Sequence, residues 1–136
     1  MELIYKGKPF SYKKPFTIEC SDGKKYVCRY NFFPGASFTI YEGDEPVVEG
    51  TATHSAVWTV TDTKANKKLF TTCGKWGRLA IEVDGKKIKE NEFMKEFGWS
   101  PISCSGFYRW GLKFPKKEKY LMELAYGYLK DNWGGD

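Results

Sequence analysis

Between Phe16 and Ile88, apolar and β-branched residues come in short runs that alternate with polar ones, and residues that turn a chain separate the runs in pairs. Alternation of period two marks strands with one buried face, so the pattern predicts four hairpins. They run from Phe16 to Tyr30 around Asp22-Gly23, Phe38 to Glu49 around Gly43-Asp44, Val57 to Thr72 around Thr63 to Asn66, and Leu79 to Ile88 around Asp84-Gly85. The turn residues tolerate positive φ or initiate turns. Each turn implies a register. Asp84-Gly85 sets Ile81 opposite Ile88 and Glu82 opposite Lys87; Gly43-Asp44 sets Ile40 opposite Val47; the loop Thr63 to Asn66 sets Val60 opposite Leu69. Apolar then meets apolar and charge meets opposite charge. A two-residue turn at Asp22-Gly23 faces Ser21 with Lys24 and places Cys28 across from Thr17, well removed from Cys20.

Past the hairpins the period changes. Residues 90–97 read as a short helical turn ended by Gly98, and Trp99 to Phe114 as one or two irregular strands interrupted by Pro101, Gly106 and Gly111. From Lys116 to Trp133 the residues Tyr120, Leu121, Leu124, Ala125, Tyr128 and Leu129 recur at helical spacing, the signature of an amphipathic helix. Pro115 precedes it and Gly134-Gly135 follows. Gly127 costs the helix about 1 kcal/mol relative to alanine; on a packed face this signals the close approach of another backbone. The predicted class is therefore mainly β: an antiparallel up-and-down meander or barrel of about 8–11 strands with a C-terminal amphipathic helix. One domain, 1–136, comprises the meander (16–88), a short helix and irregular strands (89–114) and the helix (116–133).

Composition narrows the function classes. Apolar residues at 41% and aromatics at 18% suit a chain with one packed core,. A net charge of +5 against 17 acids permits an anionic partner, while nucleic acid ranks behind a small anion or a membrane surface, because the balance falls short of a committed nucleic-acid binder,. The apolar runs are too short to span a bilayer and the segment from Met1 to Lys6 has no signal-peptide core, so a cytoplasmic location is expected,. Cys20, Cys28, Cys73 and Cys104 form no C-x-x-C pair and read as thiols, with no metal site or cofactor implied,.

The units Phe38-Thr39-Ile40-Tyr41-Glu42-Gly43-Asp44-Glu45-Pro46-Val47 and Trp58-Thr59-Val60-Thr61-Asp62, followed by the stretch from Tyr120 to Asp131, resemble the tubby C-terminal and LURP-one-related proteins, a group that includes phospholipid scramblase-like barrels. The resemblance covers about Phe16 to Asp131 and implies a closed twelve-stranded barrel around a hydrophobic C-terminal helix. It assigns no role to individual residues of this chain.

Candidate chemistry follows from topology. In a meander the tight turns share one end of the sheet and the connections between hairpins share the other. The turn end mixes lysines with acids and is nearly neutral. The opposite end carries the segments from Asn31 to Gly35, Gly50 to Ala56 and Cys73 to Arg78. Phe32, Phe33, His54, Lys75, Trp76 and Arg78 make it aromatic and basic, which suits a ring or base together with a phosphate,. The reading is a non-enzymatic binding domain for an anionic or amphipathic ligand, a phospholipid headgroup or a nucleotide. The alternative is a protein-interaction module, an inhibitor or adaptor, using a sheet edge or the outer side of the helix, where Met122, Tyr126 and Trp133 lie off the main stripe,. No catalytic residue is assigned. His54, with Asp62 to orient it, lacks a partnered nucleophile, and Gly74-Lys75-Trp76-Gly77-Arg78 lacks the length and the hydroxyl of a phosphate-binding loop,.

Overall fold

The predicted alternation becomes one continuous antiparallel ladder. A computed structural model describes residues 2–7, 16–32, 35–54, 57–75, 78–89, 92, 95, 100–102, 104, 109–113 and 120–133. Its strands are β1 (Glu2–Lys6), β2 (Phe16–Cys20), β3 (Lys25–Asn31), β4 (Ser37–Glu42), β5 (Glu45–His54), β6 (Val57–Asp62), β7 (Lys67–Lys75), β8 (Arg78–Val83), β9 (Lys86–Lys89), β10 (Ser100–Ile102) and β11 (Arg109–Lys113). The helix α1 covers Tyr120–Trp133. The eleven strands form a single sheet in the order β10-β11-β1-β2-β3-β4-β5-β6-β7-β8-β9. Among the described residues β9 and β10 are its two free margins, so the sheet is open rather than a closed barrel. Of the helical turn expected over 90–97, only Glu92 and Lys95 are described, both helical.

Strand β1 has no counterpart among the predicted elements, yet it joins the two halves of the chain. It pairs with β2 through Leu3↔Cys20 and Tyr5↔Ile18, and with β11 through Leu3↔Leu112 and Tyr5↔Trp110. Its inward residues Leu3 and Tyr5 are buried while Glu2, Ile4 and Lys6 are half-buried, the period-two pattern of a strand with one face on the core,.

Registers within the hairpins follow the core rather than the turn alone. Ile81↔Ile88 and Glu82↔Lys87 pair as expected across Asp84–Gly85, whose φ angles of 52° and 81° match a tight hairpin turn,. The first hairpin differs: Phe16 pairs with Cys28 and Glu19 with Lys25. The loop there has three residues, Ser21 to Gly23, closed by hydrogen bonds from Cys20 N to Lys24 O (2.9 Å) and from Gly23 N to Cys20 O (3.0 Å), with Gly23 at φ 95°. The one-residue slip puts Phe16, Ile18, Tyr26 and Cys28 on the same buried face, which a two-residue turn would have divided,. Elsewhere bulges intervene. Ile40 pairs with Val48 and Tyr41 with Pro46, which leaves Val47 extra; Val60 pairs with Phe70 and Thr61 with Lys68, which leaves Leu69 extra. In both places two successive apolar residues turn toward the core: Val47 and Val48 are buried, and Leu69 packs beside buried Phe70,.

The helix is not half in water. Residues 124–129 are all buried, and six consecutive positions at 3.6 residues per turn pass fully around the axis,. In place of one apolar stripe, every side of this stretch is covered. Tyr128 packs its ring on Phe16 of β2 (centroids 5.2 Å apart) and edge-on to Phe38 of β4 (4.8 Å). One core cluster contains Leu124, Ala125, Tyr126, Tyr128 and Leu129 together with inward residues from β1 to β9. The approach predicted at Gly127 is made by a side chain: a Cβ there would overlap the Tyr5 phenol. That hydroxyl donates to the Leu124 carbonyl oxygen at 3.3 Å. Packing thus holds a helix that its Tyr-Gly-Tyr centre would not favour alone.

Gly127→Ala is expected to destabilise the fold by about 2 kcal/mol, overpacking of up to about 3 being offset by about 1 of helix propensity. Urea denaturation measures it. Combination with Tyr5→Leu should be markedly non-additive, and strict additivity would contradict the contact.

Candidate functional site

Because consecutive strands alternate in direction, the sheet has two rims. At the turn rim lie Ser21 to Lys24, Gly43-Asp44, Thr63 to Asn66 and Asp84-Gly85, each closing a ladder pair. Charge there is matched locally. Lys24 Nζ lies 3.6 Å from Glu42 Oε1, and Lys64 Nζ lies 3.1 Å from Glu45 Oε2. Asp62 folds its own turn, its Oδ1 accepting the backbone N–H groups of Lys64 (3.1 Å) and Ala65 (3.2 Å). These exposed ion pairs add little stability, on the order of 0–1 kcal/mol each. Their consequence is a nearly neutral rim.

The loop rim receives the connections β3–β4, β5–β6 and β7–β8. Phe32 follows β3 directly and is 57% exposed, the large apolar side chain that water reaches among the described residues. His54 ends β5, where it pairs with Val57 across a short connection and Thr53 is bulged out of register. Lys75 and Arg78 face each other as the last Cα partners of β7 and β8. Phe33 and Trp76 lie outside the described residues. The backbone therefore brings Phe32, His54, Lys75 and Arg78 to one rim, with neighbouring connections two strand spacings, about 10 Å, apart along it.

Strand β1 adds to this rim what the sequence reading missed. Lys6 and Phe16, which flank residues 8–15, stand at the loop rim, as do Ile102 and Arg109, which flank residues 103–108. In sequence the first of these segments contains Lys8, Phe10, Tyr12, Lys13 and Lys14, and the second ends on Phe107 and Tyr108, before Arg109. The available signal was the Leu3/Tyr5 alternation, overshadowed by its position before the obvious hairpins. In the five rim connections and their flanking strand ends, the sequence contains no Asp or Glu. The segment that contains Glu90, Glu92 and Glu96 begins after Lys89, which pairs with Ala80 near the loop rim, and ends at Ser100, which pairs with Lys113 at the turn rim. The contacts of Tyr128 with Phe16 and Phe38 direct the C-terminal end of α1, with Asp131 in its sequence, to the loop rim.

Two pairings considered from sequence are corrected. His54 and Asp62 stand at opposite rims, separated by the length of β6, about 16 Å,; Asp62 cannot orient His54. Met122 and Tyr126 are not on an outer helix face: they are 8% and 0% exposed. Trp133 is the last residue of α1.

Thiol chemistry is muted. None of Cys20, Cys28 and Cys104 is in a disulfide, and no metal-binding group of His, Cys, Asp and Glu occurs among the described residues. Complete burial holds the Cys28 thiol well above its ordinary range, and partial burial, followed by the side chain of Asp22, pushes Cys20 up as well,.

Against family models, curated proteins and solved structures, the chain finds no match.

A raised thiol pKa leaves little thiolate at neutral pH, and burial blocks reagent access. Iodoacetamide at pH 8 should therefore leave Cys28 unmodified in the native protein and alkylate it after unfolding, as read by peptide mass mapping. Native labelling at the rate of a free thiol would contradict the buried position.

Proposed function

We propose that the chain is a non-enzymatic binding domain for a phosphate-bearing ligand with an apolar or aromatic part, such as a phospholipid headgroup or a nucleotide, held at the loop rim. The observation that carries this reading is the exposure of Phe32 on a rim whose five hairpin connections, with the residues that flank them, contain in sequence Lys8, Lys13, Lys14, Lys75, Arg78 and Arg109 and no acid. A ring beside cations suits both stacking and anion contact. The paired charges of the turn rim make the contrast local rather than a matter of net charge. The resemblance to tubby C-terminal and LURP-one-related proteins points to the same ligand class. The His54–Asp62 separation removes the one acid–base pairing that the sequence suggested, in keeping with a role in binding rather than catalysis.

Lys75→Glu combined with Arg78→Glu reverses the charge of the β7–β8 connection. The double variant is expected to lose at least ten-fold in affinity for phosphatidylserine vesicles or for a fluorescent nucleotide, whichever the wild type binds, with an unchanged melting temperature. Wild type that binds neither probe, or a folded double variant that binds as well as wild type, would overturn the reading.

A further inference from the structure

We propose that the β9 margin is a docking edge for an acidic extended peptide, which adds to the sheet as one more antiparallel strand. This surface lies apart from the loop-rim connections and does not depend on their ligand. Among the described residues β9 (Lys86–Lys89) bounds the sheet, with β8 on one side and no strand on the other. The direction of its main-chain groups follows from the turn. Asp84 and Gly85, at φ 52° and 81°, form a two-residue hairpin turn, whose flanking residues, Val83 and Lys86, exchange ladder hydrogen bonds,. Bonded and non-bonded pairs alternate along an antiparallel ladder, so Ile81↔Ile88 is bonded while Glu82↔Lys87 and Ala80↔Lys89 are not,. The N–H and C=O groups of Lys87 and Lys89 therefore point away from β8, toward the open margin. They are the donors and acceptors that an added strand uses.

Side chains select what this edge accepts. Lys86, Lys87 and Lys89 are exposed, so three of the four residues of β9 are cations at the surface, with no acid among them. Lys87 and Lys89 share the outer face of the sheet, where Glu82 stands opposite Lys87 and Ala80 opposite Lys89. Lysines on an edge repel most strands that approach it. A second copy of β9 would set lysine against lysine on that face, and β10, the other margin, is three residues long with Pro101, which has no N–H, at its centre,. A strand with acidic side chains at alternate positions reverses the sign. Its residues across from Lys87 and Lys89, about 5.5 Å away between Cα atoms in bonded pairs, place carboxylates beside the ammonium groups. Between the two lysines Ile88 turns inward; at 8% it is, with Met122, the most exposed member of the core cluster. An apolar residue between the two acidic ones covers it. The edge thus fits an extended acidic–apolar–acidic sequence.

The test is fluorescence anisotropy of the intact protein with a labelled peptide of alternating glutamate and valine, beside its lysine–valine counterpart and two backbone-methylated forms. The acidic peptide should bind and the basic one should not. N-methylation of the glutamates, whose N–H groups face β9 in this register, should weaken binding about ten-fold or more, whereas N-methylation of the valines, whose N–H groups face outward, should leave it in place. Lys87→Glu with Lys89→Glu should lose the acidic peptide and gain the basic one. Lys89→Glu alone, opposite Ala80 and so without a new repulsion from Glu82, should weaken the acidic peptide about five-fold at an unchanged melting temperature,. Wild type that does not bind the acidic peptide, or Lys89→Glu that binds it as wild type does, overturns the proposal. If both methylated forms bind like the parent peptide, the lysines act as an anion patch without strand addition, and the proposal is overturned in favour of a polyanion. Lys75→Glu combined with Arg78→Glu should leave peptide affinity unchanged, which separates this edge from the loop-rim reading; loss of the peptide there overturns the assignment to β9.

Discussion

The helix between Leu124 and Leu129 has no side left for water, and that constraint organises the rest of the molecule. Inward residues of strands as distant in order as β1 and β9 belong to one cluster with the helix, as a sheet that curves around it would place them. Tyr5 against Gly127 is the tightest part of this arrangement, with the phenol filling the space a Cβ would take and its hydroxyl reaching the Leu124 carbonyl. The contact ties β1 to the core. Since β1 lies between β11 and β2, it also determines that the chain's first and last hairpin connections arrive at the loop rim.

Curvature has a visible source in the backbone. Three irregularities fall in consecutive ladders, at Val47, Thr53 and Leu69. A bulge bends its strand and increases local twist, so β4 to β7 are the part of the sheet best able to wrap. Two of these bulges lie next to doubled apolar residues, Val47-Val48 and Leu69-Phe70, which a regular strand would send to opposite faces. Burying Val47 with Val48, and partly burying Leu69 beside Phe70, offsets the lost ladder pairing, a large apolar side chain contributing about 1.5–3 kcal/mol when fully buried,. The third, beside His54, bends the strand where it meets the loop rim.

Electrostatics divides along the same axis. Tight turns require Asp, Asn and Gly for backbone reasons, and Asp22, Asp62 and Asp84 therefore sit at the turn rim whatever the ligand,. Asp22 and Asp62 accept backbone N–H groups within their turns. Lysines near them are neutralised by neighbouring carboxylates, as Lys24 and Lys64 are. The hairpin connections at the other rim contain no such turn acids. The sequences of these connections carry basic residues and no acids, so charge along the chain is divided between the two rims.

Much of the meander was legible because its signals are local. Period-two alternation around Asp84-Gly85 determined both the hairpin and its register, and the helical spacing from Tyr120 to Leu129 determined the last element. The same alternation implied one rim for Phe32, His54, Lys75 and Arg78, which is where their backbone lies. The slip at Ser21 to Gly23 was also present in the sequence, in the matching faces of Phe16/Ile18 and Tyr26/Cys28; the turn motif pointed the other way and the core prevailed. What a linear pattern does not contain is which surface closes over which. Met122 and Tyr126 lie off the helix stripe and would be exposed on a helix resting on a flat sheet, yet both are buried. Strand β1 is short, and its place is set by partners as far along the chain as Arg109 to Lys113. Local spacing thus determined strands, turns and helix, while burial of the helix from every direction, a long-range requirement, decided the curvature, the join between the chain's two ends and the full membership of the basic rim.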